Sequence, residues 1–129
     1  MLSFQFEIIL YVSNQEKSKK FYSAILQQEP SLDVPGMTEF IISENLKLGL
    51  MPENGIAKIL LDKTPHPNTG NGIPRCELYI KTENSSPYYE TALLHGAKEI
   101  SPMQNRDWGD RVGYLADLDG HILAFASPI

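Results

Sequence analysis

The chain has 129 residues, 42% hydrophobic and 21% charged, with a formal net charge of −5, which suits one compact domain or two small modules sharing a core. No apolar run approaches the roughly 20 residues of a membrane helix, the opening MLSFQ is no basic-then-apolar leader, and no basic block argues for a nucleic-acid partner. The single cysteine, Cys76, excludes an internal disulfide and predicts a reducing, cytoplasmic setting.

The first element is the alternating stretch EIILYVSN, residues 7–14, which predicts a strand. Ser13 followed by Glu16 predicts a capping box, opening a helix through Phe21, Tyr22, Ile25 and Leu26. Short strands are expected near 30–34, 38–43 and 46–51. Residues 52–74 are dense in Pro, Gly and Asn, and read either as a linker or as a lid over a site. Within that stretch Ile56 to Leu61 predicts a short helical or extended piece.

A second strand, ELYIKTEN, occupies residues 77–84. Cys76 before it should point toward the helix side as an inert core thiol. Ser86-Pro87 predicts an N-cap and a first-turn proline, and Tyr88, Tyr89, Ala92 and Leu93 follow at helical spacing. Gly96 suits a helix stop. Strands are expected over 97–101, 112–117 and 121–126, the last two joined at Asp119-Gly120, a good hairpin pair because glycine accepts positive φ.

The two opening strands are nearly the same strand. Glu7 and Glu77 align at an offset of 70 residues, which also brings Leu10 onto Ile80 and Asn14 onto Asn84; the closing strands align at 75, so an insertion lies between. The organisation is βαβββ written twice, an α+β fold with module one over 1–51, a connecting loop or lid over 52–74, and module two over 75–129. Two copies are too few for a solenoid, so the expectation is one domain built from both.

The paired modules, the YVSN…SKKFY opening and the ending RDWGDRVGYLADLDGHILAF resemble the vicinal oxygen chelate superfamily. That group includes glyoxalase I, extradiol dioxygenases, fosfomycin-resistance enzymes and bleomycin-resistance binding proteins. The likeness covers nearly the whole chain, and Trp108-Gly109 with Asp117-Leu118-Asp119-Gly120 carries it best, Leu118 standing where proline is usual. The resemblance implies curved mixed sheets around a cleft, a twofold homodimer, and a divalent metal held from the head of each first strand and from within each last strand. Those positions here are Glu7, Gly49, Glu77 and Ala124. Two carboxylates are present, and the two partner positions have no donor atom. Such a set suits a transition metal poorly, so no cofactor is expected. Small residues at 49 and 124 would instead leave room for a ligand.

Other residues carry a bland reading and a sharp one. Glu7 and Glu77 are either solvated strand ends or, since Glu7 shares a face with Ile9 and Tyr11 and Glu77 with Tyr79, acids in a half-apolar pocket. Trp108 is either hairpin packing or, by the family likeness, a flat ring at a pocket rim. Arg106, Asp107, Asp110 and Arg111 read as a solvated loop, with Arg106 able to meet an anion. His66, His95 and His121 have no metal-ligand spacing. Two functions remain. One is a metal-free, bleomycin-resistance-like module binding a small organic ligand, cationic for preference, through Glu7, Gly49, Glu77, Tyr79, Arg106, Trp108 and Ala124. The other is a glyoxalase-like lyase or isomerase using Glu7 or Glu77 as general base or as ligands to a divalent metal. The missing ligands favour binding.

Overall fold

A computed structural model describes residues 4–129. They form two compact units, the first ending at Asn71 and the second beginning at Gly72. Each unit contains an open four-stranded mixed sheet and the helix that follows its first strand, which gives an α+β fold of paired βαβββ modules. No helix among these residues is long and apolar enough to cross a membrane.

In the first unit β1 (Phe6–Val12) leads into α1 (Gln15–Leu26), then β2 (Leu32–Val34), β3 (Met37–Ser43) and β4 (Leu46–Pro52), in the sheet order β1-β4-β3-β2. β1 and β4 are parallel, and β4, β3 and β2 run antiparallel. Period-two alternation sends Leu10, Val12, Phe40, Leu48 and Leu50 to one face, where all are buried, as are Phe21, Tyr22 and Ile25 of α1. Gln15, at the head of α1, donates to Val34 O and Thr38 Oγ1 and accepts from Gly36 N, tying the helix to the β2–β3 hairpin. The helix is capped one residue later than expected. Asn14, not Ser13, accepts from Lys17 N at 2.9 Å, because an asparagine carboxamide at the N-cap reaches the N3 amide.

Residues 52–74 are not wholly irregular. β4 runs directly into α2 (Glu53–Leu60), which packs on β4 and β1 with Ile56 buried, and tight turns follow at Leu61–Lys63 and Pro67–Gly70. The apolar spacing of Ile56 and Leu60 supports a helix that Pro, Gly and Asn elsewhere in the stretch conceal.

In the second unit β5 (Glu77–Lys81), α3 (Ser86–Leu94), β6 (Lys98–Asn105), β7 (Asp110–Ala116) and β8 (Ile122–Pro128) repeat the plan in the order β5-β8-β7-β6. Leu115, Leu123 and Phe125 fill one face, and Tyr88 stacks on Phe125 with ring centroids 6.5 Å apart. The N-cap is Ser85 rather than Ser86, and its hydroxyl bonds to Ser127 across the unit instead of capping. Gly96 ends α3 as expected. At φ +104 it donates to Leu93 O while Ala97 donates to Ala92 O, the pair of bonds that closes a helix on a left-handed residue. Cys76 is exposed, contrary to the expected core position, because β5 begins only at Glu77 and strand alternation does not reach back to it.

Candidate functional site

The repeat is reproduced in the strand register. Ile9 stands opposite Gly49 across the parallel β1–β4 pair, and Tyr79 stands opposite Ala124 across β5–β8. On the third strand Glu39 is opposite Gly49 and Tyr114 is opposite Ala124. The two faces that carry Glu7 and Glu77 are therefore built alike, turned away from the helix-covered core, and each has a small residue at its centre.

In the first unit that face gathers three charged side chains. Glu7 is opposite Lys47 and one pleat from Gly49, and Lys47 Nζ lies 3.4 Å from Glu39 Oε1. Gly49 makes room for Glu7: a Cβ built there would collide with Glu7 Oε2 and press on Ile9 Cγ1 at 3.1 Å. Oε2 is shut off from solvent and has no hydrogen-bond partner among the described residues. Burial first, and then the neighbouring Glu39 carboxyl, push the Glu7 carboxyl above its ordinary range, while Lys47 pulls the other way. The acid that faces Glu7 is thus Glu39 of its own unit. Sequence spacing could not name it, because only the β3–β4 register brings position 39 beside position 49.

In the second unit Glu77 is exposed at the head of β5. The residues drawn together there are others. Tyr79 donates from its hydroxyl to Asp110 Oδ2 at 2.7 Å, Trp108 Nε1 donates to that hydroxyl at 2.9 Å, and Lys81 Nζ sits 2.9 Å from Asp110 Oδ1. Asp110 is buried, whereas the sequence placed it in a solvated loop. Its two partners, Tyr79 first and Lys81 second, hold its carboxyl below the usual range, while burial and the Asp110 carboxyl lift the Tyr79 phenol against the opposite pull of Trp108. The missed signal was strand parity: Asp110 opens β7 on the face of Tyr114. Trp108 lies in the β6–β7 turn, 58% exposed, so it is both a hairpin residue and an available ring. Arg106 is occupied. It donates to Val112 O, Pro102 O and Ser101 Oγ and covers the Tyr114 ring at 5.1 Å, which makes it a brace for the hairpin rather than an open cation. Val112, Ala124 and Ala126 are fully buried on this face, with Tyr114 packed on them.

The donor set does not fit the metal centre that the resemblance implies. Positions 49 and 124 offer no ligand atom, any side chain at 49 would displace the Glu7 carboxyl, and Glu7 shares its surroundings with Glu39 and Lys47. Elsewhere, ligand atoms of Asp117, Asp119 and His121 lie within 4.8 Å of one another. Asp117 Oδ1 already accepts the backbone N–H groups of Asp119 and His121, which is the work of a turn residue.

Residues 5–129 match the glyoxalase-like domain family. No curated protein matches the sequence. Among solved structures the fold is similar to a glyoxalase-related enzyme from Fulvimarina pelagi, at 20% identity and a TM-score of 0.82 over 98% of this chain and 88% of that one. It is also similar to a glyoxalase/bleomycin resistance protein/dioxygenase from Nocardioides, at 18% identity and 0.74 over 100% and 85%. A third, a glyoxalase/bleomycin resistance protein from Albidiferax ferrireducens T118, is 19% identical with a TM-score of 0.70 over 95% and 97%. With a family match across nearly its whole length and this architecture beneath it, the chain belongs to the glyoxalase-like domain family of the vicinal oxygen chelate superfamily.

Proposed function

We propose that the protein is a small-molecule-binding member of the family, of the bleomycin-resistance kind, that holds a hydrogen-bond-donating, cationic ligand at Glu7 without a metal. The observation that carries this reading is the buried, unpartnered Oε2 of Glu7 above Gly49. Buried polar atoms are almost always satisfied, so an orphaned carboxylate oxygen beside a half-exposed apolar face of Ile9 and Tyr11 marks a place where a donor is awaited. An ammonium group answers both the oxygen and the charge of Glu39, and the net charge of −5 favours its approach.

The test is calorimetric titration with a matched series of alkylammonium ions, alkyl alcohols and alkyl carboxylates. Ammonium ions should bind best and Glu7→Gln should abolish the preference. Glu77→Gln is the matched variant, since its carboxylate is exposed. An equal loss there, or no preference for ammonium in the parent protein, overturns the reading. In the same reading the protein is a cytoplasmic homodimer, and light scattering at micromolar concentration should return twice the chain mass.

A further inference from the structure

The first unit contains a concave feature that uses no residue of strands β1 to β4. It is a pocket of about 470 Å³ walled by Asn54, Ala57, Lys58, Leu61, Thr64, Pro65 and His66, from α2 and the turns after it. That volume lies within the range of small-molecule sites. We propose that this pocket binds a small carboxylic acid with an apolar tail, the carboxylate meeting Lys58 and the tail lying on Ala57, Leu61 and Pro65.

Three independent features support it. The first is charge: among the described residues of the wall Lys58 carries the one fixed charge, a positive one, in a chain whose acids outnumber its bases 16 to 11. The second is the orientation of the polar rim. His66 Nδ1 accepts from Asn68 N at 3.1 Å, so the imidazole carries its proton on Nε2 and donates it to Asn54 Oδ1 at 2.9 Å. With its oxygen so engaged, the Asn54 carboxamide offers its NH2 as a donor, beside the Thr64 hydroxyl and the Lys58 ammonium. Donors on the rim and none of them acidic describe an anion's site.

The third feature is backbone strain. Leu61 sits at φ 55, ψ −141, a conformation suited to glycine, and still carries a leucine, 65% exposed to solvent, on the pocket wall. A glycine there would relax the backbone, so the leucine is kept at a cost that burial in the free protein does not offset. Covering that side chain with a ligand's tail supplies the missing burial.

The probes are hexanoate, hexanamide and hexylammonium, titrated into the labelled full chain while the amide resonances of Ala57, Lys58, Leu61, Thr64 and His66 are followed by NMR. Hexanoate should give saturable shifts with a dissociation constant in the millimolar range, as suits so few heavy atoms, and hexylammonium should bind worst. Lys58→Gln should weaken hexanoate about twofold to fivefold, to the level of hexanamide, because one solvated ion pair is lost. Leu61→Gly should raise the melting temperature and weaken all three probes together. Shifts that never saturate, hexylammonium binding as well as hexanoate, or full hexanoate affinity in either folded variant would overturn the proposal.

Discussion

The Glu7 carboxyl is raised by burial first and by Glu39 second, and that sets a pH dependence. The folded protein keeps a proton at this site above the ordinary value of 4.5, where the unfolded chain has released it. The folded state then binds more protons than the unfolded one, so this group lowers stability as pH rises from about 4.5 through its folded value. Glu7→Gln should therefore melt no lower than the parent near pH 4 and higher at pH 7, measured by thermal denaturation at both. A clear loss at pH 7 would make Glu7 a structural partner instead. Gly49 is the matching case in reverse. Gly49→Ala drives a Cβ into Oε2, the movable tip of Glu7, and against Ile9, so the carboxyl swings aside and the cost stays below the roughly 1–3 kcal/mol of rigid core overpacking. In a Glu7→Ala background much of that cost should disappear, because the two changes share one space, and chemical denaturation of the four proteins measures the coupling.

At the scale of elements, the β6–β7 hairpin is held to β5 by the chain Trp108–Tyr79–Asp110–Lys81. Tyr79→Phe removes the hydroxyl that both accepts from Trp108 and donates to Asp110. Since Trp108 is the sole tryptophan, its fluorescence reports this hairpin alone. The variant should lower the steady-state anisotropy and shift the emission to the red, while an unchanged spectrum would mean that the ring is held by packing. Turns respond to backbone conformation in the same way. Gly96 and Gly120 both have positive φ, yet a Cβ at Gly120 would stand 2.7 Å from Gly72 Cα, a backbone atom, whereas at Gly96 it would meet only the tip of Leu118. Gly120→Ala should accordingly cost more than Gly96→Ala, for which about 1–2 kcal/mol is expected from φ alone.

At the scale of the whole molecule, the family's metal is a matter of which donors survive at four positions of two repeated units. With glycine and alanine at two of them, chelator-treated protein dialysed against zinc, nickel or manganese should retain less than one ion per chain by elemental analysis. One tightly held ion per chain would instead favour the lyase or isomerase chemistry that the superfamily also supports.

Strand and helix positions, the twofold repeat and the family could be read from the sequence because their signals are local: alternation from Glu7 to Val12, the stop at Gly96, the turn at Asp119-Gly120. The same locality places Glu7 and Tyr79 on the faces away from the helices, whereas positions 49 and 124 follow from the family resemblance, and the strand register sets them opposite Ile9 and Tyr79. What stayed hidden were partners set by pairing between distant strands. Glu39 and Lys47 reach Glu7 only through the β3–β4 and β1–β4 registers, and Asp110 looks solvated until β5 and β7 bring Tyr79 and Lys81 to it. Arg106, open by sequence, is spent on backbone carbonyls that the hairpin turns toward it. A residue's own type and spacing decide which face it takes, and only the closed sheet decides which charges and donors wait there.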